Sequence, residues 1–358
     1  MIKRPFFITK SYWFALVLAF LSILSAGSAY CQTNSGVKET SLKELKEFNT
    51  TDLVMDHILN HYSWHLWGNT YVYLPVILIS KKGIDVFSSE RIETGEHIYQ
   101  GHYTYSLIND KIVALNDHGK PEATLTKKIW NFSITKNVAS LLFSVFLLFV
   151  ILIPVGISST KRLNKTPKGM QSALEPFVVF IRDEVAIPNM GQNATRFLPF
   201  LLTIFFFVWI NNLLGLVPFF PGGANLSGNI SFTLALATIT LILTLFNAKK
   251  PYWKHIFLPE VPVLMYVIMV PVELIGIITK PIALTIRLFA NITAGHVLIL
   301  SLISLIFIFK NAWLATASIP FTLFISLIEL LVGLIQAFIF TALAALYIGM
   351  AVNEHVEH

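Results

Sequence analysis

Cysteine is nearly missing from this 358-residue chain. Cys31 stands alone, so no disulfide can close within the chain and no cysteine cluster can hold a metal. Charge is scarce too: only 13% of residues are Asp, Glu, Lys or Arg, too few for a highly charged disordered chain. No glycine-rich loop ending in Lys-Ser/Thr is present to cradle phosphates, and no His-Glu-x-x-His pair is present to hold zinc. The apolar runs contain no pair of aspartates. Nucleotide binding and intramembrane hydrolysis therefore lack their usual groups, and neither cofactor nor metal is expected. The formal net charge is +6. No helix-turn-helix or aromatic-basic surface accompanies it, so nucleic acid is not an expected partner.

What the chain has in quantity is apolar side chains. They make up 55% of it, with 29 Phe and a mean hydropathy of +0.67. That profile belongs to an integral membrane protein. The basic residues then read as loop charges that set orientation.

The first 31 residues read as an export signal. Lys3, Arg4 and Lys10 lead an apolar run from Trp13 to Leu24, and Ser25 to Ala29 are small enough for cleavage. An uncleaved first helix and a lipoprotein signal ending at Cys31 are the alternatives. Residues 32–135 are polar and mixed, and read as a small α+β domain outside the cytoplasm. An amphipathic helix is expected over Leu42 to Leu66. Strands are expected over Tyr71–Ile79, His97–Ile108 and Lys111–Leu115, parted by turns such as Asn109-Asp110. His57, His61 and His65 recur every four positions. On a helix they would share one side, as metal ligands or as a plain polar face, though a drift of about 40° per step works against a three-ligand site.

The membrane domain takes 136–358. Spans are expected over Val138–Ile157, Phe197–Pro218 and Ile230–Phe246. Between the first two, Ser172–Ile187 carries Glu175, Arg182, Asp183 and Glu184, and reads as a helix lying along the interface or docking to a partner. Basic residues at Lys161, Arg162, Lys165 and Lys168, and again at Lys249, Lys250 and Lys254, put those loops in the cytoplasm. Two further apolar stretches, Val261–Phe309 and Ala315–Val352, far exceed the 20 or so residues that cross a bilayer. They demand steep tilt or a bend, with Pro262, Pro271 and Pro281 as candidate bend points. The fold class is thus an all-α polytopic membrane protein. It has about five membrane-crossing segments, two of them long, tilted and antiparallel, plus the small N-terminal α+β domain.

Polar residues inside the two long stretches are the candidate site, because a charge at membrane depth costs several kcal/mol and is rarely idle. Arg287 keeps its proton in any ordinary setting, so it suits a fixed electrostatic gate and not a proton carrier. Asn291 shares its face. On the last helix Glu329 and Gln336 share a face. With the helices antiparallel and Gln336 opposite Arg287, His296 lies roughly 13 Å and Glu329 roughly 10 Å to the same side. A His and a Glu at one depth can pass protons as a coupled pair. Structural readings compete at each position: Arg287 paired with Glu273, His296 and Glu329 as packing or ion-pair groups, Gln336 as interhelical glue. Glu273 and Lys280, seven positions apart, are either an ion pair or the lining of an inner exit. Asn212 is a buried polar residue of the second span. Asn229, Ser231 and Thr233 either line an outer mouth or cap the next helix.

Three segments carry a resemblance. They are Lys280-Pro-Ile-Ala-Leu-Thr-Ile-Arg-Leu-Phe-Ala-Asn-Ile-Thr-Ala-Gly-His296, Leu334-Ile-Gln-Ala-Phe-Ile-Phe340, and Thr203-Ile-Phe with Asn212-Leu-Leu-Gly-Leu-Val-Pro218. Over roughly 137–352 the chain resembles subunit a of the rotary F-type ATP synthase. The resemblance implies that Arg287 is the stator arginine facing the c-ring carboxylates. Asn291 and Gln336 would support it, and His296 and Glu329 would form the outer proton relay. It also implies b subunits of a peripheral stalk, membrane lipid and the rest of the complex as partners, and a bacterial inner membrane as the location. Many bacterial members carry an acid at the position of His296 and a His at that of Glu329. Here the two are exchanged, as in mitochondrial-type members. A stand-alone cation/proton antiporter is the alternative function.

Overall fold

The computed structural model describes residues 61–353, apart from 68–69, 95–96, 109–110, 117–118, 162–165, 218–225, 260, 263–264 and 310–311. The expected signal segment, His57 and most of the expected helix over Leu42 to Leu66 lie outside the described residues.

Eight short strands open the described chain: β1 (Ser63–Trp67), β2 (Thr70–Tyr73), β3 (Pro75–Ser80), β4 (Gly83–Ser88), β5 (Ile98–Gln100), β6 (Thr104–Ile108), β7 (Lys111–Leu115) and β8 (Trp130–Asn131). They form three antiparallel sheets in the orders β1-β2, β4-β3-β8 and β5-β6-β7. Two single-turn helices, α1 (Glu90–Glu93) and α2 (Ala123–Thr126), lie between strands. Alternation sets which faces meet. Val76 and Leu78 of β3 and Phe87 of β4 turn inward onto Tyr105, Ala114 and Ile129, while Ile79, Ile84 and Val86 turn out. Tyr105 is fully buried, and the rings of Phe87 and Tyr99 stack with centroids 3.9 Å apart.

One buried carboxylate joins the two three-stranded sheets. Asp85 of β4 accepts from the Tyr105 hydroxyl at 2.7 Å and from the backbone N–H of His102 at 3.1 Å, and meets the His102 Nδ1 at 2.8 Å. Gly83 makes room for this arrangement. Its φ is +151°, and a Cβ there would come within 2.6 Å of the His102 ring.

The histidine row expected on a helix is not helical where described. Ser63–Trp67 is a strand, His65 pairs with Tyr71 across β1–β2, and His61 precedes the strand. Tyr62 and Trp64 are the buried residues there, and their period of two prevailed over the four-residue spacing. The strands β4 and β8 were not anticipated.

The rest is helical. Helix α3 (Lys136–Lys161) is the first span. Next, α4 (Met170–Phe180) passes through a π-helical stretch, Ile181–Ala186, into α5 (Ile187–Met190). A 3₁₀ turn then leads into α6 (Ala194–Leu216). The amphipathic segment and the second span, expected as separate elements, are thus one helical run of 47 residues. Helices α7 (Ile230–Phe246) and α8 (Lys250–Phe257) meet at a bend of 102°. Helices α9 (Tyr266–Phe309) and α10 (Ala312–Val352) complete the chain. Among the described residues four helical runs are long and apolar enough to cross a membrane, or five if α7 and α8 count as one bent span.

At 44 and 41 residues, α9 and α10 would reach roughly 66 and 60 Å if straight, twice a hydrocarbon core of about 30 Å. Helix α9 runs without a break through Pro271 and Pro281. Helix α6 is the core around which the others gather. It packs on α10 and α3, and its Phe205, Phe206, Phe207 and Val208 are all buried. Helix α9 packs on α10 and α7. At the end of α10, Gly349 lies so close to the Asn189 carbonyl that a Cβ would collide with it, and the Asn353 amide donates to the same carbonyl at 2.9 Å.

Two outcomes follow from these contacts. Gly349→Ala should lower the unfolding temperature in detergent, because overpacking against backbone costs about 1–3 kcal/mol. Gly276→Ala, where a Cβ meets open space, should not. Burial works to raise the Asp85 pKa, but the hydrogen bonds from Tyr105 and His102 outweigh it and hold the carboxyl below its usual range. A lowered folded pKa stabilises above the unfolded value of about 3.9 and is lost as pH falls through the folded value. Limited proteolysis of the β domain should therefore distinguish Asp85→Asn from the parent at neutral pH, and the gap should close in strong acid.

Candidate functional site

The two long helices meet along a polar seam. The Asn291 amide donates to the Gln336 Oε1 at 2.8 Å. A Cβ on Gly295 would touch the Glu329 carboxyl at 2.9 Å. The Ser318 hydroxyl donates to the Leu302 carbonyl at 2.8 Å. Positions rise along α9 as they fall along α10, so the pair is antiparallel, as expected. The register puts Gln336 against Asn291, one turn beyond Arg287.

Gln336 and Glu329 are buried, at 2% and 5% exposure. Glu329 reaches this depth because Gly295 has no side chain to hold the helices apart. Its carboxyl therefore packs on the residue immediately before His296, which is itself half-buried. The structure brings Glu329 to the depth of His296. The Glu329 Oε2 is buried with no hydrogen-bond partner among the described residues. A buried carboxyl oxygen left without a partner carries a desolvation cost.

Asn212 of α6 completes the seam from a third side. It is 3% exposed. Its amide donates to the Gly333 carbonyl of α10 at 2.9 Å, and its Oδ1 accepts from the Ser227 hydroxyl at 2.6 Å. A Cβ on Gly333 would stand 3.2 Å from the Asn212 Cβ. Asn212 thus ties α6 to α10 between Glu329 and Gln336. Ser227, which holds the other end of that amide, lies in an uncharged turn where no spacing pointed to it. Asn229 caps α7 by accepting from the Ser231 N–H at 2.9 Å, and Thr233 bonds back to the Asn229 and Ile230 carbonyls.

Arg287 lies outside the seam. It is exposed, and no acid of this chain pairs with it among the described residues. It shares its surface with Ala283, Ile286, Ala290, Asn291 and Ala294, all exposed, at the spacing of one helix face. Only 11% of the most apolar window of α9 is covered by the rest of the chain. The pairing of Arg287 with Glu273 weighed from the sequence is not formed. Glu273 instead faces His255 of α8 at 3.8 Å, and Lys280 sits over the Tyr347 ring at 5.5 Å. Those partners come from distant segments, so the seven-residue spacing of Glu273 and Lys280 was a poor guide to either.

Replacing Asn212 by Leu should remove both of its bonds, leaving the Ser227 hydroxyl without its acceptor at about 1–3 kcal/mol for a buried group and the Gly333 carbonyl with its helical bond alone. Ser227→Ala breaks only one bond and should cost less. Thermal unfolding of the two variants in nanodiscs would rank them, and equal melting points would contradict the clamp.

Comparison with known proteins identifies the family. A model of the ATP synthase A chain family matches residues 140–349, and Domain of unknown function (DUF8433) matches residues 53–132. ATP synthase subunit a of Chloroherpeton thalassium is 47% identical over 64% of this chain and 69% of its own length. ATP synthase subunit a 2 of Chlorobaculum tepidum is 45% identical over 64% of this chain and 66% of its own length. ATP synthase subunit a of Chlorobium phaeobacteroides (strain DSM 266) is 46% identical over 64% and 68%. The matched region spans α3 to α10 and contains the whole polar seam, and on that breadth of similarity this chain belongs to the ATP synthase A chain family.

Proposed function

We propose that this chain is the stator subunit of a rotary ATP synthase, forming two proton half-channels against a ring of c subunits. The observation that carries the reading is Arg287, a permanent cation left uncovered at mid-helix, on a face lined with alanines. Such a surface calls for a neighbour that brings carboxylates and comes close. On entry, a proton passes His296 and Glu329 to a ring carboxylate. A protonated, neutral carboxyl can then turn into lipid. After nearly a full turn it meets Arg287, whose charge lowers its pKa and drives proton release toward the inner side near Glu273. Arg287 also bars a direct proton path by repelling the migrating cation. Each charge crossing the field gains about 2.3 kcal/mol per 100 mV, so several must cross per ATP. The chain does no bond chemistry itself.

Asn291, Gln336 and Asn212 position this machinery and do not carry protons. Exposed Glu184 and the half-buried Glu175, Arg182 and Asp183 beside it are where we place contact with the b subunits of the peripheral stalk. Basic loops at 161–168 and 249–254 favour a cytoplasmic side for those ends and for the C-terminus. Residues 1–31 would then be an export signal and 32–135 a periplasmic domain of a multi-pass protein in the bacterial inner membrane, with 136–358 as the membrane domain. The family assignment leaves no support for an antiporter working alone.

Arg287→Ala should abolish proton-driven ATP synthesis in inverted vesicles while the complex still assembles. Glu329→Gln should slow synthesis by at least tenfold and spare ATP hydrolysis by the detached catalytic sector. Normal synthesis with Arg287→Ala would reject the mechanism.

A further inference from the structure

The β domain presents a second uncovered surface that proton transfer does not use. In the β4-β3-β8 sheet, Ile79 pairs with both Ile84 and Trp130, and Ile77 pairs with Val86. The Phe132 N–H donates to the Ile77 carbonyl at 2.9 Å, extending β8 along the sheet. Alternation sends Ile77, Ile79, Ile84, Val86, Trp130 and Phe132 to the side away from the core. Ile84 and Val86 are 61% and 62% exposed, and Trp130 is 57% exposed. Trp130 and Phe132 lie parallel, with rings 6.4 Å apart and planes 6° apart. A contiguous apolar sheet face of this kind marks a contact surface.

Its position identifies what covers it. The sheet leads into α3 without a free linker. The Ile134 N–H donates to the Pro75 carbonyl at 3.1 Å, and the Lys136 N–H donates to the His61 carbonyl at 2.9 Å. Lys136 is the first residue of α3. Trp130 therefore lies at most about 20 Å from the start of a membrane span. Helix α3 itself shows an uncovered apolar stripe at Leu142, Phe146, Val150, Ile153 and Ile157, on a helix long and apolar enough to cross a membrane. The sheet face is thus continuous along the chain with an uncovered apolar face of a candidate span. Its composition suits the boundary zone, where aromatic rings sit at headgroup level. Exposed Lys81, Lys127 and Lys128 stand at the end of this sheet farther from α3, the outer edge of a face lying flat on a bilayer, and no acid occurs between Ala123 and Lys136. Those cations complement anionic headgroups.

We propose that the outward face of the β4-β3-β8 sheet rests on the lipid bilayer surface at the N-terminal end of α3. Its apolar side chains dip to headgroup level, and the lysines meet anionic lipid. The occupant is lipid and not a protein partner.

The test uses the intact complex in nanodiscs of phosphatidylethanolamine and phosphatidylglycerol, with Cys31→Ser to remove the one native thiol. A fluorophore is attached at Val86→Cys, or for reference at Lys120→Cys, on the side of the domain held by the other three-stranded sheet. Nitroxide lipids labelled near the headgroup should quench the probe at position 86 and not at 120. Aqueous iodide should quench position 120 several-fold more strongly than 86. Equal iodide access at both positions would overturn the proposal. So would a probe at 86 shielded from both quenchers, since that means a protein covers the face. Val86 is mostly exposed, so the substitution leaves the fold intact, and protease resistance of the β domain checks this directly.

Discussion

Everything in the membrane domain depends on bringing amide and carboxyl groups together where water is scarce. A lone Asn, Gln or Glu between apolar helices is a liability of a few kcal/mol. Here the amides are partnered. Asn291 meets Gln336 across α9–α10, and Asn212 meets the Gly333 carbonyl and the Ser227 hydroxyl across α6–α10. Two glycines make the approach possible: Gly295 admits the Glu329 carboxyl, and Gly333 admits Asn212. Interhelical hydrogen bonds of this type are individually modest. Their value lies in register, because sliding α10 by one turn would break both amide bonds, and sliding α9 would break that between Asn291 and Gln336.

A fixed register explains how one chain keeps two opposed surfaces on α9. The side facing α10 and α7 buries Leu284, Leu288 and Ile292. The other side holds Arg287 with its alanines, exposed for most of the helix. The seam prevents rotation about the helix axis, and so prevents the guanidinium from turning inward toward Glu329 of α10. An arginine that found an internal carboxylate would be tied up in an ion pair and lost to the gating role proposed for it. Glu273 is instead placed opposite His255, and Tyr347 takes Lys280. Each of these neighbouring groups is directed elsewhere, and Arg287 is left without an acidic partner among the described residues.

Much of this was legible in the sequence, for definite reasons. Apolar length located each candidate span among the described residues, and polar residues within those spans stood out because their cost is so high. Heptad-like spacing put Glu329 and Gln336 on one face, and antiparallel placement then brought Glu329 to the depth of His296. What could not be read was set by contacts between distant segments. The His255–Glu273 approach, the Ser227 bond and the π-helical continuation of α4 leave no periodic trace. In the β domain a four-residue histidine spacing suggested a helix, but burial of Tyr62 and Trp64 made Ser63–Trp67 a strand. Strand β4 escaped notice because Asp85 occupies an inward position. An acid there breaks the apolar alternation by which strands are recognised, and its compensation, Tyr105 and His102, lies some 20 residues on.

The junction between the two parts is physically the least ordinary feature. Domains joined by a flexible segment reorient freely, since few contacts cross the boundary. Here hydrogen bonds run from Phe132 to Ile77, from Ile134 to Pro75 and from Lys136 to His61, up to the first residue of α3. Ser133 adds a bond to the Ile77 N–H at 3.1 Å. Swinging the sheet relative to the helix would require breaking this ladder, in a region where Thr135 and Ser133 are already buried. The β domain and α3 therefore respond together to any load applied at either end. A side load on α3 is transmitted to the sheet, and a surface that grips the sheet steadies α3. That coupling follows from backbone hydrogen bonding alone, and it holds whatever the domain's outer face touches.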